Sequence, residues 1–158
     1  MKHAQIWSLD LLVASAIFVL GLVFFYLYTL NYARESDDML SFMRYDAERI
    51  TDALLSAGYP LNWSEDNVIL LGISSNQAVN ETKLAQLNAL AENNYERTRG
   101  LFATRYHWYL NFSEPMLINS SLVESIGRTP SSPNNLLVIR RITLYRNKPA
   151  VLNLHLWS

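Results

Sequence analysis

The sequence predicts an α+β protein, a long N-terminal helix that is first hydrophobic and then amphipathic, packed on a small antiparallel β-sheet head with short extra helices. Three observations carry this expectation. Residues 11–30 contain no charge, residues 40–54 repeat apolar side chains at helical spacing, and the last third of the chain alternates apolar and polar residues with the period of a strand.

From Leu11 to Leu30 the run LLVASAIFVLGLVFFYLYTL is twenty residues long, and at about 1.5 Å per residue it spans roughly 30 Å, one hydrocarbon thickness. A removable secretory signal is the alternative, but its apolar region is shorter and ends in a small-x-small site. Here the run closes on Tyr26, Tyr28 and Tyr32, side chains suited to a membrane interface. Lys2 and the amino terminus on one flank, against Arg34 among Glu35, Asp37 and Asp38 on the other, favour a cytoplasmic N-terminus and an exterior C-terminal part. Asp10 stands at the edge of the run with no basic residue nearby in sequence. It is either hydrated among headgroups or paired with a cation from another subunit.

Beyond the span, Leu40, Met43, Ala47, Ile50 and Leu54 recur at three- and four-residue steps with charges mostly between them, the pattern of an amphipathic helix. Gly58 followed by Pro60 stops it, with Gly58 as the left-handed cap. Without a break at Ser36-Asp37-Asp38, residues 5–57 form one helix of about 80 Å; with one, those residues cap a second helix. Val68 to Ile73 is a short β-branched run and an expected strand. Thr82 to about Ala103 is expected to be helical, broken near Asn93-Asn94 into two short helices.

The remainder is strand-like. In Arg105 to Phe112 the even positions Tyr106, Trp108, Leu110 and Phe112 are expected inward and the odd positions outward. Leu136 to Tyr145 and Val151 to Trp157 form a hairpin, with Leu152, Leu154 and Leu156 inward and Pro149 in the turn rather than the ladder. Ahead of the hairpin, Gly127 to Asn135 is a polar, exposed loop.

Composition narrows the chemistry. The chain of 158 residues is 50% hydrophobic and 17% charged with a net charge of −1, which is neither a disordered chain nor a polycationic binder, so no nucleic acid partner is expected. Cysteine is absent, which removes disulfides, thiolate metal sites and thiol catalysis. The five glycines, at 21, 58, 72, 100 and 127, build no phosphate-cradling loop. His107 and His155 lack the spacing of a zinc motif, and no G-x-S-x-G is present. Neither an enzyme nor a cofactor is therefore expected. Trp63, Tyr106, Trp108, Tyr109 and Trp157 are candidates for an adhesive aromatic surface, although Trp108 belongs with the core; Tyr109 and Trp157, on the polar phase of their strands, are the better surface candidates.

Charge is uneven along the chain. Glu35 to Asp52 holds six acids and two bases, while Gly127 to the end holds Arg128, Arg140, Arg141, Arg146 and Lys148 and no acid. The two can pair within one chain or between subunits. Sequons begin at Asn62, Asn80, Asn111 and Asn119, where about two would arise by chance, and all four are candidate glycosylation sites of an exterior domain.

The N-terminus, Lys2-His3-Ala4-Gln5-Ile6-Trp7-Ser8-Leu9-Asp10 ahead of the long apolar run, resembles the class III signal peptide of archaeal type IV pilin-like proteins. Gly58-Tyr59-Pro60-Leu61-Asn62-Trp63, Leu71-Gly72-Ile73, Asn80-Glu81-Thr82-Lys83-Leu84, Tyr95 and Arg140-Arg141-Ile142-Thr143-Leu144-Tyr145 are similar to the spaced pattern of archaeal pilin-like surface proteins, so the likeness covers most of the chain. It implies a leader of residues 1–4 cut by a prepilin peptidase between Ala4 and Gln5, although His3-Ala4 stands where Lys/Arg-Gly or Gly-Ala is usual. It further implies a transmembrane and filament-core helix over 5–33 and an extracytoplasmic head over 34–158. Bacterial pilins carry a Glu at the fifth mature position; Asp10, sixth from Gln5, would by analogy meet a neighbouring subunit's amine. The implied partners are the membrane, the pilus assembly machinery and other pilin subunits, in an extracellular filament. The competing expectation is a single-pass membrane protein whose exterior domain binds a ligand or partner and forms no filament.

Overall fold

The computed structural model describes the backbone of residues 2–118 and 121–158 and the side chains of residues 10–30, 38–118 and 121–158. The chain divides into two units, Met1–Ser41 and Phe42–Ser158. Helix α1, Lys2–Leu54, is unbroken through positions 36–38, so no second helix is capped there. In the first unit the segment Asp10–Leu30 has no buried residue. Its serine and threonine hydroxyls are satisfied locally, Ser15 Oγ donating to the Leu12 carbonyl and Thr29 Oγ1 to the Phe25 carbonyl, both at 2.9 Å. An apolar environment demands such internal pairing.

In the second unit the last turns of α1 bury Met43, Ala47, Ile50 and Leu54 completely. The stripe is the expected one except at Leu40, which is exposed and precedes Phe42. Gly58 adopts the left-handed conformation (φ 71°), but four residues past the last helical residue Leu54. Its role is close approach: Gly72 lies against it so tightly that a Cβ on Gly72 would overlap Gly58 N and stand 2.6 Å from the Ser56 carbonyl.

That approach explains why Val68 to Ile73 is not the strand its composition suggests. The backbone there is already satisfied by the end of α1 and by Tyr59: Ile73 N–H donates to the Leu54 carbonyl (2.8 Å), Leu70 N–H to the Tyr59 carbonyl (3.0 Å) and Tyr59 N–H to the Leu70 carbonyl (2.9 Å). A single bridge, Tyr59 to Leu70, is all the β-structure in that segment. Strands follow at β1 (Ser74–Ser75) and β2 (Ala78–Val79), joined through Asn76 and Gln77 at positive φ.

Helices α2 (Glu81–Asn93) and α3 (Tyr95–Leu101) occupy the expected places. Each begins on an asparagine N-cap: Asn80 Oδ1 accepts from Lys83 N–H and Asn94 Oδ1 from Arg97 N–H. Leu84, Leu87 and Leu90 of α2 are buried.

Strands β3 (His107–Ile118), β4 (Ser121–Gly127), β5 (Leu136–Tyr145) and β6 (Lys148–Trp157) complete a six-stranded sheet of order β1-β2-β5-β6-β3-β4. Its pairings are antiparallel except β2 with β5. Trp108 and Leu110 of β3 and Leu152, Leu154 and Leu156 of β6 are fully buried on its inner face, as the alternation requires. β3 runs past its expected end at Phe112 through an irregularity between Asn111 and Met116. There Ser113 Oγ replaces the missing ladder partner and accepts the Val151 N–H at 2.9 Å. β4 was not legible in the sequence because Ile126 is its only buried residue.

Two expectations about β6 are corrected. Pro149 is in the ladder, opposite Leu144, rather than in the turn. The turn is Arg146-Asn147, both at positive φ, and its two-residue length makes Tyr145 and Lys148 the hydrogen-bonded pair and Leu144 and Pro149 a non-bonded one. Proline's missing N–H thus faces away from β5, and β3 pairs with β6 only from Leu152 onward. Trp157, expected on the surface, is 5% exposed. It lies opposite both His107 and Leu136, and the His107 ring covers it at 5.6 Å.

Candidate functional site

The segment Asp10–Leu30 is long and apolar enough to cross a membrane. Exposure runs right round it, with Leu11, Ile17, Phe18, Phe24, Phe25 and Tyr28 each more than half exposed. A helix that is apolar on every face has no water-facing side to present. Asp10, at its edge, is exposed. The proposed cleavage residues Ala4 and Gln5 and the interfacial Tyr32 lie outside the described side chains.

The sequon asparagines occupy different settings. Asn62 is exposed in the loop after α1. Asn80 is half-buried and caps α2 through its Oδ1. Asn111 is half-buried in β3, its Oδ1 3.2 Å from His155 Nε2. Asn119 is outside the described residues.

On the outer face of the sheet the register places His107 beside Trp157, Tyr109 beside His155 and Asn111 beside Asn153, with Val138 and Arg140 on the far side of β6. The face is apolar toward β5, where Leu136, Val138, Ile142 and Leu144 are exposed, Ile142 at 77%. Tyr109 is half-buried, its ring edge-on to His155 at 5.5 Å. Sequence reasoning missed this apolar area, and the signal was present: Leu136 to Tyr145 is apolar on both phases of the strand, which a single buried face does not need.

Both histidines on this face have a buried Nδ1 without a partner. Burial is the first cause that lowers the pKa of each; Arg99 and Arg128 add repulsion at His107, opposed by Glu96, and Arg140 adds repulsion at His155. Both rings are therefore biased toward the neutral form. Among the described residues no three His, Asp or Glu side chains are grouped to hold a metal ion.

Among the described residues the acidic helix and basic hairpin meet at Arg141, whose Nη2 reaches Asp52 at 3.1 Å and whose Nε donates to Thr51 Oγ1 at 3.3 Å. Arg146 pairs with Glu81 of α2 at 2.7 Å, and Tyr145 OH also donates to Glu81 at 2.8 Å. These bonds hold the Glu81 carboxyl below its usual pKa. Arg49 of α1 donates to the Phe102 (2.6 Å) and Ala103 (3.1 Å) carbonyls at the end of α3, where a cation is favoured by the helix dipole. The inner side of the β5 edge is a cleft of about 380 Å³ lined by Arg44, Glu48 and residues 137–141.

No family model matches the chain, and no curated protein or solved structure matches it either.

Proposed function

We propose that the chain is a structural subunit, a major or minor pilin, of an archaeal type IV pilus-like surface filament, inserted in the cell membrane by a single pass before assembly. The observation that carries this reading is the segment Asp10–Leu30, unburied on every side and part of a helix that continues to Leu54. Lipid would cover it first. After extraction, like helices in a filament core would take over, at about 25 cal/mol per Å² of apolar surface kept from water. On this reading residues 1–4 are a class III leader removed by a prepilin peptidase between Ala4 and Gln5. Asp10 meets the amine of a neighbouring subunit, and the α+β head faces outward, with glycans on its sequons where they are accessible. The chain performs no catalysis of its own and uses no cofactor.

Mass spectrometry of the mature N-terminus, on native membranes and on sheared surface material, tests the proposal. A chain beginning at Gln5 in the sheared fraction is the expected result. An N-terminus that is intact or trimmed only of Met, confined to membranes, would overturn it and leave a membrane-anchored domain that binds a ligand or partner. The same spectra report glycan mass, for which the exposed Asn62 is the most accessible described acceptor.

A further inference from the structure

The sheet has two unlike ends. β5 pairs with β6 over ten consecutive residues without a register shift, but with β2 only at Leu144. The bonded pairs of the hairpin begin at Tyr145–Lys148 and alternate from there. The far end obeys the same parity, where Ser158 N–H donates to the Asn135 carbonyl at 3.3 Å. The N–H and C=O groups of Leu136, Val138, Arg140 and Ile142 therefore point away from β6, along an edge that no strand covers among the described residues. Natural proteins blunt such an edge with charged residues, proline, a bulge or a covering element; β5 contains no proline and no bulge, and its only charges are Arg140 and Arg141. The core is also unfinished there: Leu137 and Ile139 are half-exposed beside the cleft, while Leu154 and Leu156, opposite them on β6, are fully buried.

At the other end, Arg128 N–H donates to the Trp108 carbonyl at 3.2 Å. By the same parity the backbone groups of Ser125 and Gly127 in β4 face outward. Charge separates the two ends. Leu136 to Trp157 contains four bases and no acid, whereas His107 to Gly127 contains Glu114 and Glu124 and no Lys or Arg. Arg140 and Glu124 are both exposed, and neither forms an ion pair among the described residues.

We infer that the open β5 edge of one head receives the β4 edge of a second copy, continuing the sheet from subunit to subunit. A partner's β4 sets the acidic end of one sheet against the basic end of the next, whereas pairing β5 with its own copy would set the basic strand against itself, and like charges facing across strands are unfavourable. Joining two different edges leaves the joined pair with one free edge of each kind, so the contact repeats in an open array. The inference rests on the filament reading for that repeat and names the surface through which the heads meet.

The natural chain has no cysteine, so full-length Leu122→Cys, Ile142→Cys and the double variant can be treated with a short bismaleimide in native membranes and in sheared material. Both positions are more than 70% exposed, so neither substitution opens the core. The expected result is a multimer ladder from the double variant, dimers only when the single variants are co-expressed, and monomers from each single variant alone. Arg140→Glu or Glu124→Arg should cut the ladder about fivefold, and the two together should restore it. Dimers from Ile142→Cys alone would overturn the inference in favour of β5 self-pairing. Sheared material without a ladder would overturn it and leave the filament reading standing. A ladder confined to membranes would support the joint while removing the filament, and neither product would remove both. Amide exchange on unsubstituted protein gives the same decision: protection of Val138, Arg140 and Ile142 in sheared material relative to dispersed chains supports the joint, and equal exchange overturns it.

Discussion

Single residues decide how the head closes. Gly58 and Gly72 allow the chain after α1 to double back against the helix end, and Trp63 Nε1 seals the contact by donating to the Gly72 carbonyl at 2.9 Å. A methyl group on Gly72 would meet backbone rather than a movable side chain. Gly72→Ala is expected to cost about 3 kcal/mol, the upper end for overpacking, measured by chemical unfolding; a loss under about 1 kcal/mol would show that the backbone relaxes there. His107 and His155 set a pH dependence. Each has a native pKa below the 6.5 of an ordinary histidine, so in the window between the two values the unfolded chain binds more protons than the native one. Their contribution is therefore full above about pH 6.5 and is lost as the pH falls through the native values. Glu81 acts in a lower window, its stabilisation present above the usual 4.5 and lost below it. Unfolding midpoints of wild type and of His107→Gln/His155→Gln across pH 4 to 8 separate the two, because only the loss that begins near pH 6.5 should vanish in the variant.

At the scale of elements, legibility followed periodicity. The stripe of Met43, Ala47, Ile50 and Leu54 and the β5–β6 hairpin were readable because each buries one face with its own repeat. Val68 to Ile73 misled because strand composition reports burial, and Val68, Leu71 and Ile73 are indeed buried, but against a helix end instead of within a ladder. β4 escaped notice for the opposite reason, since an edge strand with one buried side chain has no alternation to read. Of the candidate surfaces, the apolar segment was legible from length alone, whereas the β5 edge was not, because an open edge is a property of pairing rather than of sequence. The buried stripe makes its own prediction. Ile50→Ala should cost about 2–5 kcal/mol, whereas Tyr45→Ala, at an exposed position of the same helix, should stay within about 0.5 kcal/mol. Equal losses at the two sites would mean that the helix is rotated from this face.

For the whole molecule, the two units must be stabilised by different surroundings. Among the described residues every buried core side chain, from Met43 to Trp157, belongs to Phe42–Ser158, so that unit carries a hydrophobic core within its own sequence. Asp10–Leu30 contributes nothing to it, and it exposes more contiguous apolar surface than a protein in water sustains. A fragment from Asp38 to Ser158 is therefore expected to fold in water without detergent. Its first residue suits an N-cap, and the short stretch of α1 it retains is held by tertiary packing rather than by helix propensity. Near-UV circular dichroism of Trp63, Trp108 and Trp157, all buried, should match that of the intact chain in detergent, with one cooperative unfolding transition. A fragment that keeps its far-UV signal but loses the near-UV signal would show that the apolar segment or its partners complete the head. A fragment that matches would show that Phe42–Ser158 reaches its packed state without the apolar segment, because the three tryptophans that report on its core keep their surroundings.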